Sequence, residues 1–221
     1  MRPIVKICGL MNLDDAHLCL RAGVDVLGFV VEYPRPVPWN LNHTKAKELI
    51  SAFGGKAKTC MVTGGKPARV LELVNALGKQ AQPSYIQLHD SQSPSDTKAL
   101  VDDLGAKGIK VIKTLFPNTA ELEQTALDFC DIGVFALLFD PRTPENATRG
   151  GSVDVSAFRL LKQAVSCPVI LAGGITPQNA VELIQETEAE MIDLMTGVEH
   201  HPGHKDPEKL SALMRALEPV T

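Results

Sequence analysis

The sequence predicts a (β/α)8 barrel formed by one domain over residues 1–221. Three observations carry this: eight short apolar runs at near-regular spacing, amphipathic patterns between them, and a length near the lower end of the range for such a barrel. The predicted strands are Ile4–Ile7, Val26–Val31, Thr59–Thr63, Tyr85–Leu88, Val111–Thr114, Val134–Phe139, Val169–Ala172 and Met191–Met195. They are rich in Val, Ile and Leu and do not alternate with polar residues, as expected of parallel strands covered on both faces.

Helical periodicity fills the intervals. Val70, Leu71, Val74 and Leu77 share one face behind Pro67. Leu210, Leu213, Met214 and Leu217 do the same behind Asp206-Pro207, an N-cap followed by a first-turn proline. Thr176-Pro177 is expected to start a helix in the same way ahead of Ala180, Leu183 and Ile184. Asn12, with Asp15 three residues on, is expected to cap the first helix. The competing architecture is an open doubly wound sheet, and a dinucleotide-binding one would show G-x-G-x-x-G after its first strand. Here that stretch reads Lys6-Ile7-Cys8-Gly9-Leu10-Met11-Asn12, and the count of eight favours closure. Gly54-Gly55 and Pro141–Gly151 read as loops, the second long and polar like a lid.

The apolar fraction is 44%, the charged fraction 22% and the formal charge −4, which argues against a nucleic-acid partner. No run approaches a membrane span and the N-terminus carries no secretory signal pattern. The five cysteines are odd in number, far apart in sequence and without a CxxC pair. Reduced thiols, no disulfide, no thiolate zinc site and a cytoplasmic setting are therefore expected. His200, His201 and His204 read as a solvated loop around Pro202-Gly203, so no metal is expected. Asn146-Ala147-Thr148 matches a glycosylation sequon by chance.

Barrel active sites lie at the C-terminal strand ends. The polar residues expected there are Cys8, Arg35, His89, Lys113, Asp140, Gly173-Gly174 and Thr196-Gly197. Cys8 fits a buried structural thiol as well as a reactive one, and His89 a bonded core histidine as well as a functional one. Lys113 fits a lysine pointing between strands to a carboxylate. Asp140 stands apart: it ends an apolar strand, where a carboxylate is costly unless paired or used. Glycine pairs after the last two strands suit a phosphate, which backbone N–H groups can approach closely.

Taken in order, Lys6-Ile7-Cys8-Gly9, Gln87-Leu88-His89, Val111-Ile112-Lys113, Leu137-Leu138-Phe139-Asp140, Leu171-Ala172-Gly173-Gly174 and Pro177-Gln178-Asn179 resemble the phosphoribosylanthranilate isomerase family. The pattern closes with Thr196-Gly197-Val198-Glu199 and Pro202-Gly203-His204-Lys205-Asp206, so it covers essentially the whole chain. The resemblance implies a tryptophan-biosynthesis enzyme, monomeric or homodimeric, with no cofactor. It implies an Amadori rearrangement of a small phosphorylated aminosugar. Asp140 would be the general acid that opens the ribose ring and Cys8 the general base that takes the C2′ proton. Gly173, Gly174, Thr196 and Gly197 would hold the phosphate, and Arg35, His89 and Asp193 would bind the rest of the substrate. Such chemistry calls for a raised Asp140 pKa and a Cys8 thiolate steadied by a cation.

The chain departs from the family pattern at Asp90, at Gly150–Val155 after the lid, at Leu194-Met195-Thr196 and at the end of the third strand. By the resemblance, these positions would frame the aromatic end of the substrate. An isomerase for another phosphorylated aminosugar and a non-catalytic phosphate-ligand-binding barrel remain alternatives.

Overall fold

The computed structural model describes residues 2–143 and 151–218. Eight parallel strands close into a barrel in chain order: β1 (Ile4–Ile7), β2 (Val26–Val30), β3 (Lys58–Thr63), β4 (Tyr85–Leu88), β5 (Lys110–Leu115), β6 (Ala136–Phe139), β7 (Val169–Ala172) and β8 (Met191–Leu194). Between them run α1 (Leu13–Arg21), α2 (His43–Ala52), α3 (Pro67–Leu77), α4 (Pro94–Ala106), α5 (Leu122–Asp131), α6 (Val155–Ala164) and α7 (Ala180–Thr187). After β8 come a short hairpin, β9 (Glu199–His201) and β10 (His204–Lys205), and α8 (Pro207–Ala216). Every predicted strand is present, with its ends moved by no more than two residues. The hairpin has no counterpart among the predicted elements; it carries the three clustered histidines, all exposed.

Strand side chains sort by parity into two cores. Val26 and Val30, Cys60 and Val62, Ala136 and Leu138, and Ile170 and Ala172 fill the barrel. Leu27 and Phe29, Met61, Leu137 and Phe139, and Val169 and Leu171 pack outward under the helices. Burial on both faces is why the strands show no polar alternation.

Local chemistry sets the helix ends. Asn12 Oδ1 accepts the Asp15 N–H at 2.8 Å while its Nδ2 donates back to Asp15 at 2.9 Å. Asp206 accepts the N–H groups of Glu208 and Lys209 at 2.9 and 3.1 Å. The expected cap at Thr176-Pro177 is wrong. Asn179 Oδ1 accepts the Thr176 N–H at 2.7 Å and Asn179 Nδ2 donates to Gly174 at 3.0 Å, tying the segment into a turn. The helix therefore starts only at Ala180.

The expectation of no disulfide is also overturned. Cys130, at the end of α5, and Cys167, just before β7, are bonded at 2.00 Å. One βα unit returns the chain to the same end of the barrel, so residues 37 apart in sequence have Cα atoms 5.8 Å apart. Cys8, Cys19 and Cys60 are free thiols. Within the lid-like loop, residues 144–150, including Asn146, lie outside the described residues. Among the described residues no helix is long and apolar enough to cross a membrane.

Thiol titration in denaturant should find three reactive cysteines before reduction and five after it. Cys167→Ser should lose about 2–4 kcal/mol of unfolding free energy under non-reducing conditions. Urea curves that superimpose with wild type would show that the bridge adds nothing.

Candidate active site

The inward parity continues past the strand ends. Cys8 follows β1, His89 follows β4, Asp140 and Arg142 follow β6, and Asp193 lies on β8. All five line one cavity that opens to solvent, together with Tyr33, Trp39, Gln87 and Met195. Cys8, His89, Asp140 and Asp193 are thus brought together as expected, and Arg142 joins them.

Asp140 is 3% exposed, and Arg142 grips it. Its Oδ1 accepts from the Arg142 backbone N–H and from Nε, both at 2.9 Å, and its Oδ2 accepts from Nη2 at 2.8 Å. His89 Nε2 lies 3.8 Å from Oδ2, while His89 Nδ1 meets the Tyr33 hydroxyl at 2.8 Å. The expectation of a raised Asp140 pKa is therefore overturned. Burial pushes the carboxyl up, but His89 and Arg142 outweigh it and hold it well below the usual carboxylate range.

Cys8 departs from expectation in the opposite sense. Burial pushes its thiol above the ordinary value, and the nearby Lys6 and Lys205 ammonium groups only partly offset this. Room for Cys8 comes from Gly28 in β2, where an added Cβ would stand 2.9 Å from Cys8 Cα and 3.1 Å from its sulfur. Below it, Lys6 Nζ donates to Asp193 at 2.8 Å. Cys60, also inward but fully buried on β3, is pushed up to about 12 by burial.

The remaining residues sort clearly. Lys113 points outward, where its ammonium meets the Asp90 carboxylate at 2.5 Å. Asp90, one of the departures from the family pattern, therefore serves an ion pair beneath the helices. Arg35 is exposed in the loop after β2 and is not part of the cavity wall. Gly173 and Gly174 both have positive φ, and an added Cβ would stand 2.3 Å from Pro141 Cγ or 2.6 Å from Gly151 O. A Cβ on Gly197 would stand 1.9 Å from Ile175 O. The loops after β6, β7 and β8 thus meet closely, with Thr196 exposed on the last. Neither glycine pair lines the cavity itself. Among the described residues no cluster of three or more His, Cys, Asp or Glu could hold a metal ion.

The sequence model of the N-(5'phosphoribosyl)anthranilate (PRA) isomerase family matches residues 5–216. The chain belongs to this family. An N-(5'-phosphoribosyl)anthranilate isomerase of Rhodopseudomonas palustris (strain BisB5) is 32% identical over 224 residues, covering 98% of this chain and 96% of that one. The phosphoribosyl anthranilate isomerase structure from Thermus thermophilus superimposes with a TM-score of 0.77 at 30% identity, covering 98% of each chain. Another phosphoribosyl anthranilate isomerase, solved with reduced 1-(o-carboxyphenylamino)-1-deoxyribulose 5-phosphate, shares the fold with a TM-score of 0.78 at 23% identity over 99% of each chain.

Within the isomerase-family pattern, Glu199 and Lys205 now have visible work. Lys205 Nζ, wholly buried, donates to Glu199 Oε1 at 2.8 Å and to the Cys8 carbonyl at 2.7 Å. Trp39 Nε1 donates to the same Glu199 oxygen at 2.9 Å. One buried ion pair thereby anchors both the backbone of Cys8 and the aromatic wall of the cavity.

Lys205→Met should strand the Glu199 carboxylate and cost about 3–5 kcal/mol in chemical denaturation. The double change Lys205→Met with Glu199→Gln should recover part of that loss. A single variant as stable as wild type would show that the pair holds nothing in place.

Proposed function

We propose that Cys8 and Asp140 carry the proton transfers by which this isomerase performs the Amadori rearrangement of N-(5'-phosphoribosyl)anthranilate in tryptophan biosynthesis. The product is 1-(2-carboxyphenylamino)-1-deoxyribulose 5-phosphate. The observation that carries the reading is a carboxyl group and a thiol, Asp140 and Cys8, on the wall of the same cavity at the ends of different strands.

Asp140 gives a proton to the ribose ring oxygen as the C1′–O bond breaks, leaving a Schiff base. Cys8, as thiolate, takes the C2′ proton, and the C–H electrons form the enol–amine, which tautomerises to the ketose. The Gly173-Gly174 and Thr196-Gly197 loops are the proposed phosphate cradle, where glycine lets backbone N–H groups come close. Arg35, His89 and Asp193 are proposed to contact the rest of the substrate. Family membership supports a reaction with no cofactor or metal. The one barrel is the proposed functional unit, acting as a monomer or homodimer, and no nucleic acid or membrane partner is proposed. A cytoplasmic setting is proposed from the biosynthetic reaction, although a bridge such as Cys130–Cys167 is uncommon in that compartment.

Turnover is read as loss of anthranilate fluorescence. Cys8→Ala and Asp140→Asn should each lower kcat roughly 10²–10⁴-fold. A folded wild-type protein without turnover would refute the reading. The pH dependence has a definite sign. The working form needs a protonated Asp140 and an ionised Cys8, so kcat/KM falls below the Asp140 pKa and above the Cys8 pKa. With the first held down and the second pushed up, the plateau should extend from below the carboxylate range to above the ordinary thiol value. A narrow bell centred near neutrality would contradict this pair assignment.

A further inference from the structure

We infer that Arg142 is the resting counter-ion of Asp140, and that an oxyanion of the substrate draws its side chain away so that Asp140 takes up a proton only in the occupied site. This rests on Asp140 being the general acid.

The geometry forces the question. An acid needs a proton on one carboxylate oxygen. Here Oδ1 already accepts two N–H groups and Oδ2 a third, all from Arg142. A guanidinium keeps its protons at any working pH, so the fork favours the ionised carboxylate and opposes its protonation. Release of the fork is what would ease proton uptake before ring opening.

Arg142 is able to leave. Its side chain is 17% exposed on the cavity wall, and its backbone N–H still holds Oδ1 after the side chain has swung away. Of the groups facing the site from other elements, His89 goes on holding the carboxyl down when Arg142 leaves, so release of the fork lifts part of the restraint. His89 reaches Asp140 from β4 at 3.8 Å, and Asp193 on β8 is held by Lys6 of β1. Cys8 completes the set. The proposed substrate carries two oxyanions, a ring carboxylate and a phosphate, and either matches a bidentate guanidinium. Arg142 lies beside the proposed phosphate loops: an added Cβ on Gly151 would stand 3.3 Å from Arg142 Cγ.

The protons balance. The resting site holds the Cys8 thiol and the Asp140 carboxylate; the working site holds the thiolate and the carboxyl. The exchange breaks one S–H bond and forms one O–H bond, with no net uptake. After Asp140 protonates the ring oxygen and Cys8 removes the C2′ proton, both groups are back in the resting form. Arg142 can then return as product departs.

The test follows the Asp140 carboxyl band by infrared difference spectroscopy across pH, with Asp140→Asn assigning the band. In wild type, saturating reduced 1-(o-carboxyphenylamino)-1-deoxyribulose 5-phosphate should raise the titration midpoint by about one unit or more, a tenfold change in protonated fraction at fixed pH. Inorganic phosphate alone and anthranilate alone are the comparison arms, and the one that moves the band names the oxyanion. In Arg142→Met the empty protein should already show the raised midpoint, and the acidic limb of kcat/KM should move up in pH. Arg142→Lys, which keeps the charge without the fork, should fall between and serves if the Met variant does not fold. An unmoved midpoint on analogue binding, or in the empty Arg142 variants, overturns the inference. Full turnover by Asp140→Asn would instead remove the acid assignment on which it rests.

Discussion

Everything in this barrel depends on the seam where β1 meets β8. The first strand has four residues and must hold β2 on one edge and β8 on the other. Its register with β8 pairs Ile4 with Met191 and Lys6 with Asp193, so the seam closes over a buried ion pair. Burial works against the Lys6 charge, but the Asp193 carboxylate outweighs it and keeps the ammonium protonated. Removing one partner from such a pair typically costs about 3–5 kcal/mol, because the other charge is left stranded. The same pair takes up only Asp193 Oδ2; among the described residues Oδ1 is buried without a hydrogen-bond partner.

From that seam, the two-residue period of the strands carries order upward into chemistry. A side chain that faces inward at one level faces inward again two residues later, until the strand ends in open space. Lys6 leads to Cys8, Gln87 to His89, Leu138 to Asp140 and then Arg142. Lower members fill the barrel and upper members line the cavity, so packing fixes the aim of the reacting groups. The alternate members face the helices, which explains why Lys113 and Asp90 pair there.

This period also accounts for what was legible in the sequence. Eight apolar runs announce a closed parallel sheet, and the polar residues that stop them announce Cys8, His89 and Asp140. Counting two on from Asp140 reaches Arg142, a signal present in the sequence but masked by the loop-like Pro141-Arg142-Thr143. Gly28 was equally visible as a glycine inside an apolar strand, a frequent mark of close backbone approach. The direction of the two pKa shifts was not legible. An apolar strand end suggests a protonated acid, yet the sign is set by where two side chains, His89 and Arg142, come to rest. The Cys130–Cys167 bridge was hidden for a related reason: sequence distance says little about neighbours when every βα unit returns the chain to the same end.

The position of that bridge has one more consequence. Cys130 and Cys167 bracket the end of α5, β6, the long loop that follows and α6, and so enclose Asp140 and Arg142 in a covalent ring. A single backbone cut anywhere inside that ring leaves the chain in one piece, its continuity passing through sulfur instead of carbon and nitrogen. A chain nicked once there would come apart into two polypeptides only after the bridge is reduced.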